Sequence, residues 1–210
     1  MIDPVILAAI LSLLPAAPSG TERARLETFA AGITEAAGAS PGPFTGVAAH
    51  QAAGLALVAI AWHESSFDER VIDCRRRGAA GDATAFQLLG PFARGVKTPA
   101  ADGRAAVYFS IAELCASVPL AAGRALAILE HHANTCKIGG PIAWYQGYAS
   151  GSCGKPAPIR IWSRGELRVI DADAGATRCR TWERLATRAG LVGASCYRRA
   201  AIEHPPVDAE

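Results

Sequence analysis

The residues best suited to chemistry lie at 60–68, where the apolar segment IAWHESSFD runs into a glutamate. Glu64 is flanked by Trp62 and Phe67, so we expect its carboxyl group to be poorly solvated. Loss of hydration disfavours the charged form and raises the pKa of a carboxyl group, which lets it hold a proton near neutral pH. The pattern therefore predicts a general acid, and the competing interpretation is an exposed glutamate at a helix end.

Two other chemistries suggested by this segment are excluded by its spacing. His63 and Glu64 begin an HExxH string, but Phe67 occupies the position of the second histidine, so two zinc ligands cannot share that helix face. Ser65 and Ser66 lack a surrounding GxSxG elbow, so we expect their hydroxyls to bond locally or to a substrate rather than to act as nucleophiles.

A second group of candidate ligands lies further along the chain. His131, His132 and Cys136 fall at one predicted helix end, which is more typical of a satisfied helix terminus than of a metal site. We therefore predict neither a metal nor a cofactor.

Three motifs resemble those of one enzyme family. ESSF at 64–67, preceded by a hydrophobic helix, resembles the ESxF signature of the soluble lytic transglycosylase and goose-type lysozyme superfamily. The segment GAAGDATAFQLLG resembles that family's GAxGLMQ, with Phe86 and Gln87 where the family segment ends in an apolar residue and glutamine. The three residues from Asp82 to Thr84 separate Gly81 from AFQ, which departs from the family pattern.

The third motif is YASG at 148–151, which resembles the family's YNxG. Ala149 replaces the usual asparagine, and the nearby WYQG offers Tyr145 as a rival alignment. Tyr148 is preferred because it also preserves the glycine at Gly151. The alternative for either tyrosine is plain packing of a pocket wall.

The resemblance implies a mainly α, lysozyme-like fold with a small β-hairpin or irregular loop lining the cleft. It implies cleavage of the bond between N-acetylmuramic acid and N-acetylglucosamine in peptidoglycan, with Glu64 as the catalytic acid and base. The expected substrate-binding residues are Ser65, Ser66, Phe86, Gln87, Tyr148 and Tyr145.

The sequence leaves the outcome of the reaction open. A lytic transglycosylase needs one carboxylate, because the sugar's own hydroxyl closes an anhydro ring, whereas a second carboxylate at Asp82 would position water for hydrolysis. The alternative function is a non-catalytic lysozyme-like component of a phage tail or secretion apparatus that binds peptidoglycan or serves a structural role.

These motifs must be positioned by helices. The spacing predicts one helix within 19–38, capped by Ser19 or Thr21, and a buried central helix from about Val47 to Trp62. Further helical patterns follow Asp102 and Pro119. A hairpin is then indicated by IRIWSRGELRVIDADAG, and a last helix by RCRTWERLATRAGL. We divide the chain into an apolar segment 1–20, a catalytic domain 21–155 and an extension 156–210 packed on it.

Composition favours a compact globule. Half of the 210 residues are hydrophobic, 19% are charged and the net charge is only +2, which argues against a disordered chain or a nucleic-acid binder. The apolar run from Val5 to Leu14 is too short to span a membrane, and it fits either an atypical export signal or an ordinary first helix.

The six cysteines contain no CxxC pair, which favours disulfides over a zinc site, although reduced core cysteines are the alternative. Disulfides predict a periplasmic, secreted or virion-associated protein. A bridge between Cys136 and Cys153 would brace the segment that carries Trp144 and Tyr148, but six cysteines allow 15 connectivities and the sequence leaves the choice among them open.

Overall fold

The chain is mainly α-helical, as the sequence predicts. The computed structural model describes residues 1–77, 83–88, 110–136, 140–151, 153 and 173–196, with the backbone of 159–163 and 166–171. Its helices are α1 (Pro4–Leu13), α2 (Gly20–Ala39), α3 (Ala49–Ser65), α4 (Glu69–Ile72), α5 (Ile111–Ala116), α6 (Val118–Thr135), α7 (Gly140–Ser150) and α8 (Ala174–Arg188). Strands β1 (Ile159–Ser163) and β2 (Glu166–Asp171) form an antiparallel hairpin.

Helix α3 is the centre of the core. Residues 52–61 are all buried, which confirms the prediction drawn from the apolar character of every face of this helix. Helices α1, α2 and α8 pack around it. The indole Nε1 of Trp182 in α8 donates to the carbonyl of Ala52 in α3 at 3.1 Å, so the C-terminal helix is bonded directly to the core.

The ends of the first two helices follow from local capping. The Asp3 carboxylate accepts from the amide of Val5 at 2.8 Å, and Pro4 occupies the first turn of α1. Ser19 and Glu22 form a capping box at the start of α2, which selects Ser19 from the two predicted caps.

The N-terminal apolar segment is packed on the body of the protein. Ile6 and Ile10 of α1 are at most 1% exposed, and they belong to the same core as α3. Within the described part of the chain, no helix combines the length and the apolar character needed to cross a membrane.

The last third of the described chain agrees with its predicted elements. β1 and β2 pair from Ile159 opposite Asp171 to Ser163 opposite Glu166. Helix α8 overlaps the predicted final helix 178–191, but it begins at Ala174 and ends at Arg188. The helix predicted after Asp102 is described only from Ser110 onward, and the rest of that prediction lies outside the described residues.

Three disulfides account for all six cysteines: Cys74–Cys115, Cys136–Cys153 and Cys179–Cys196. The prediction of disulfides is confirmed, and Cys136–Cys153 is the pairing that the sequence offered as one of 15 connectivities. This bridge ties the end of α6 to the segment that follows α7, and so it holds these two helices together at one end.

Candidate active site

Glu64 lies in the last turn of α3 and forms an ion pair with Arg178 of α8. The guanidinium donates to the same carboxylate oxygen, Oε1, from Nε at 3.1 Å and from Nη2 at 2.8 Å. The pair is largely withdrawn from water, since the Arg178 side chain is 7% exposed and that of Glu64 17%. A cation at this distance stabilises the charged carboxylate, which opposes the effect of desolvation expected from the sequence.

A short turn from Ala83 to Leu88 lies next to Tyr148. Ala83 and Leu88 pair as an antiparallel bridge, with amide-to-carbonyl distances of 3.1 and 2.8 Å. Thr84 and Gln87 within the turn have positive φ values of 68° and 49°, which non-glycine residues adopt uncommonly. The Thr84 carbonyl stabilises this backbone by accepting from both the amide and the side-chain nitrogen of Gln87, each at 3.1 Å.

Tyr148 joins the turn to helix α7. Its hydroxyl donates to the carbonyl of Phe86 at 2.9 Å across 62 residues of sequence. Burial raises the pKa of Tyr148 well above its usual value, and the charge of Glu64 raises it further, while Arg178 partly opposes the shift. The tyrosine therefore contacts the second motif and lies within electrostatic reach of the first.

A pocket of about 170 Å³ opens beside this contact. Its described lining comes from the turn and from helices α6 and α7. The lining residues are Gln87, Leu88, Ile128, His132, Gly147, Tyr148, Ala149, Ser150 and Gly151. Two of the predicted substrate-binding residues, Gln87 and Tyr148, thus border one concave surface together with the whole of the YASG segment.

Two other predicted substrate-binding side chains belong to the core instead. Phe86 is 1% exposed and stacks on Phe29 with ring centroids 5.8 Å apart, so only its carbonyl group is turned toward Tyr148. Tyr145 is fully buried and packs near Trp182. The structure corrects the expectation for both side chains, because neither reaches the surface where a glycan strand could bind.

The two serines after Glu64 differ in their surroundings. Ser65 is buried, donates to the carbonyl of Ala61 at 2.7 Å and accepts from the amide of Phe67 at 3.2 Å, so its hydroxyl is used locally. Ser66 is exposed and ends α3 in the left-handed conformation with φ of 51°. Only Ser66 of the two is accessible to a substrate.

The predicted second carboxylate, Asp82, lies outside the described residues. Among the acids that follow Glu64, Asp68 caps α4 and forms an ion pair with Arg70 at 2.9 Å. These hydrogen bonds lower the pKa of Asp68 to about 2, so this group stays charged and cannot act as an acid near neutral pH. Glu69 also pairs with surface arginines.

The described histidines near the site have other partners or lie beside a disulfide. His63 Nε2 bonds to the hydroxyl of Thr181 at 2.9 Å. His132 lies with Cys136 and Cys153 in a cluster of suitable size for a metal, but the two cysteines are joined in a disulfide and have no thiolates to offer. Burial, with the charge of His131 adding to it, lowers the pKa of His132.

Arg178 is the feature of this site that the three motifs do not reveal. It lies 114 residues from Glu64 in the sequence, within the C-terminal extension. One sequence signal points to it: Arg178 falls on the face of the final helix that also carries Trp182 and Leu185, where an apolar residue would be expected. A charged residue on such a stripe requires a buried partner.

Comparison with known proteins identifies no relative: no family model, curated protein or solved structure matches the chain. The geometry of the site and the three motifs are therefore the basis for assigning a function.

Proposed function

We propose that this protein cleaves the glycan strands of peptidoglycan between N-acetylmuramic acid and N-acetylglucosamine, with Glu64 as general acid and base. The observation that carries the proposal is the hydrogen bond from the Tyr148 hydroxyl to the Phe86 carbonyl. It joins the segment that resembles YNxG to the one that resembles GAxGLMQ, and the charge of Glu64 in the ESxF-like segment acts on Tyr148. A direct contact between two of the three motifs, made by residues 62 positions apart in the sequence, supports the resemblance.

The chemistry requires one carboxyl group that donates and then recovers a proton. Protonated Glu64 gives its proton to the bridging oxygen as the glycosidic bond breaks. The resulting carboxylate then accepts a proton from the sugar's primary hydroxyl, which closes an anhydro ring, or from water, which gives hydrolysis. The first route is the lytic transglycosylase reaction and the second is the lysozyme reaction.

The location of the enzyme follows from its substrate and its covalent structure. Three disulfides are unusual in a reducing cytosol. They support a protein that works in the periplasm, outside the cell or as part of a virion, where peptidoglycan is accessible.

The decisive experiment is a digest of purified peptidoglycan with the wild type and with Glu64→Gln. We expect Glu64→Gln to lower muropeptide release by about 100-fold or more, the usual contribution of general acid catalysis. Glu69→Gln is the matched control, since Glu69 lies on the surface in ion pairs with arginines, and it should retain activity. The masses of the released ends separate anhydro from hydrolysed products.

A second candidate is a non-catalytic peptidoglycan-binding or structural component of a phage tail or secretion apparatus. The ion pair between Glu64 and Arg178 favours it, because a paired carboxylate can serve structure alone. Equal, background-level release by the wild type and Glu64→Gln, with both proteins still sedimenting with peptidoglycan, would establish this alternative and reject the enzyme.

A further inference from the structure

The contacts of Arg178 occupy all three nitrogens of its guanidinium group. Nε and Nη2 donate to Glu64, as described above, and Nη1 donates to the carbonyl of Ala174 at 3.0 Å. A planar group bonded on all of its nitrogens has a fixed orientation. The position of Oε1 of Glu64 is thereby tied to the backbone of α8.

Helix α8 is itself attached to the core on both sides of Arg178. On the N-terminal side, the amide of Gly175 donates to Oε1 of the buried Gln146 at 3.0 Å. On the C-terminal side, Thr181 bonds to His63 and Trp182 bonds to Ala52.

The close approach of α8 to α7 depends on Gly175. A Cβ at this position would lie 2.8 Å from the carbonyl oxygen of Ile142 and from the amide nitrogen of Gln146. The next residue after Arg178 is Cys179, which is bonded to Cys196. The register that presents Arg178 to Glu64 is therefore set by packing, by hydrogen bonds and by a covalent bond.

Groups on two neighbouring helices interact with the charge of Glu64. Helix α8 supplies Arg178 and α7 supplies the neutral phenol of Tyr148. His132 of α6 lies in the wall of the pocket that Tyr148 also lines, and Glu64 is not among the described lining residues of that pocket. On α3 itself, His63 precedes Glu64 and is bonded to Thr181. The described turn 83–88 contains no titratable side chain.

We propose that Arg178 is a positioning residue that orients the Glu64 carboxylate and sets the pH at which this group can hold the proton needed for catalysis. The inference rests on the proposed function and extends it, since it makes the C-terminal helix part of the active site. With Arg178 in place, activity should rise as the pH falls, because the neighbouring cation opposes protonation of Glu64.

The test compares the pH dependence of kcat/KM for wild type, Arg178→Met and Arg178→Lys. Activity of a general acid falls as the pH rises through the range where it loses its proton. Removal of a paired arginine should move this alkaline limb upward by at least about one pH unit, a tenfold change in proton concentration. Arg178→Lys keeps a positive charge next to Glu64, so the alkaline limb of its pH profile should move upward by less than that of Arg178→Met.

Arg180→Met is the matched control, because Arg180 lies two positions further on the exposed face of α8. It should leave the pH profile unchanged. Near-ultraviolet circular dichroism establishes that each variant is folded, and if Arg178→Met does not fold, the upward shift is sought in Arg178→Lys. An unchanged alkaline limb in the folded variants would overturn the inference.

A measurement without substrate separates this inference from the proposed function. Carbon NMR of the glutamate carboxyl groups, with the Glu64 signal assigned from its loss in Glu64→Gln, follows the protonation of this residue directly. If peptidoglycan is not cleaved, the proposed function fails, yet Glu64 should still titrate at higher pH in Arg178→Met than in wild type. If peptidoglycan is cleaved and the titration does not move, only the inference fails.

Discussion

Two tyrosines one turn apart on α7 offer a controlled test of the contact that carries the functional proposal. The Tyr148 hydroxyl donates to the Phe86 carbonyl at 2.9 Å. The Tyr145 hydroxyl is fully buried and has no hydrogen-bond partner within the described part of the chain. The same substitution, tyrosine to phenylalanine, thus removes a hydrogen bond at position 148. At position 145 it removes only a buried hydroxyl group without such a bond.

The two substitutions should change the free energy of unfolding differently. Tyr148→Phe leaves the carbonyl of the buried Phe86 without this donor, which should lower the free energy of unfolding by about 1–3 kcal/mol. Tyr145→Phe removes a desolvated hydroxyl that gains nothing from burial, so it should be neutral or stabilise the protein by up to about 1 kcal/mol.

Urea unfolding followed by circular dichroism measures both free energies, with the slope of the transition as a check that the unfolded states are comparable. Muropeptide release should fall in Tyr148→Phe, because the turn 83–88 loses its attachment to α7, and should be retained in Tyr145→Phe. If Tyr145→Phe destabilises the protein as much as Tyr148→Phe, the loss of stability does not come from the hydrogen bond to Phe86, and the reasoning is refuted.

Two further predictions concern packing and ionisation. Gly175→Ala should destabilise the protein by roughly 1–3 kcal/mol in urea unfolding, because its Cβ would meet backbone atoms of α7. The control Gly123→Ala, in open space on a helix, should instead stabilise it by about 0.5–1 kcal/mol. Burial raises the pKa of both Tyr145 and Tyr148 in the folded protein. The free energy of unfolding should therefore be unaffected by these two groups below about pH 10, and should fall as the pH rises further, because the unfolded chain then loses their protons more readily. An absorbance titration of tyrosinate should therefore show these two ionising only on alkaline unfolding, and ionisation of all four tyrosines near pH 10 in folded protein would contradict it.

Local patterns in the sequence predicted much of the fold. The central helix α3 follows from an unbroken apolar segment, and the start of α2 follows from the serine and glutamate of its capping box. The strands β1 and β2 were expected from a short alternating stretch. Each of these signals acts within a few residues, so it can be interpreted without knowledge of the tertiary structure.

The site was less predictable because it depends on contacts between distant segments. A motif match places Phe86 near a cleft but does not give the direction of its side chain, which is decided by stacking on Phe29. The partner of Glu64 comes from a helix 114 residues away. The charge of Arg178 on an otherwise apolar helix face is a signal that could have pointed to a buried acid opposite it, but the sequence does not say which acid.

The order of the disulfides has a consequence for the biogenesis of the protein. Each cysteine is bonded to the next one along the chain, 74 to 115, 136 to 153 and 179 to 196, so the three covalent loops neither overlap nor enclose one another. If the protein is exported into an oxidising compartment, as proposed above, each bridge could close as soon as its second cysteine emerged. Native connectivity would then arise from an oxidase alone, without an isomerase to exchange mispaired bonds.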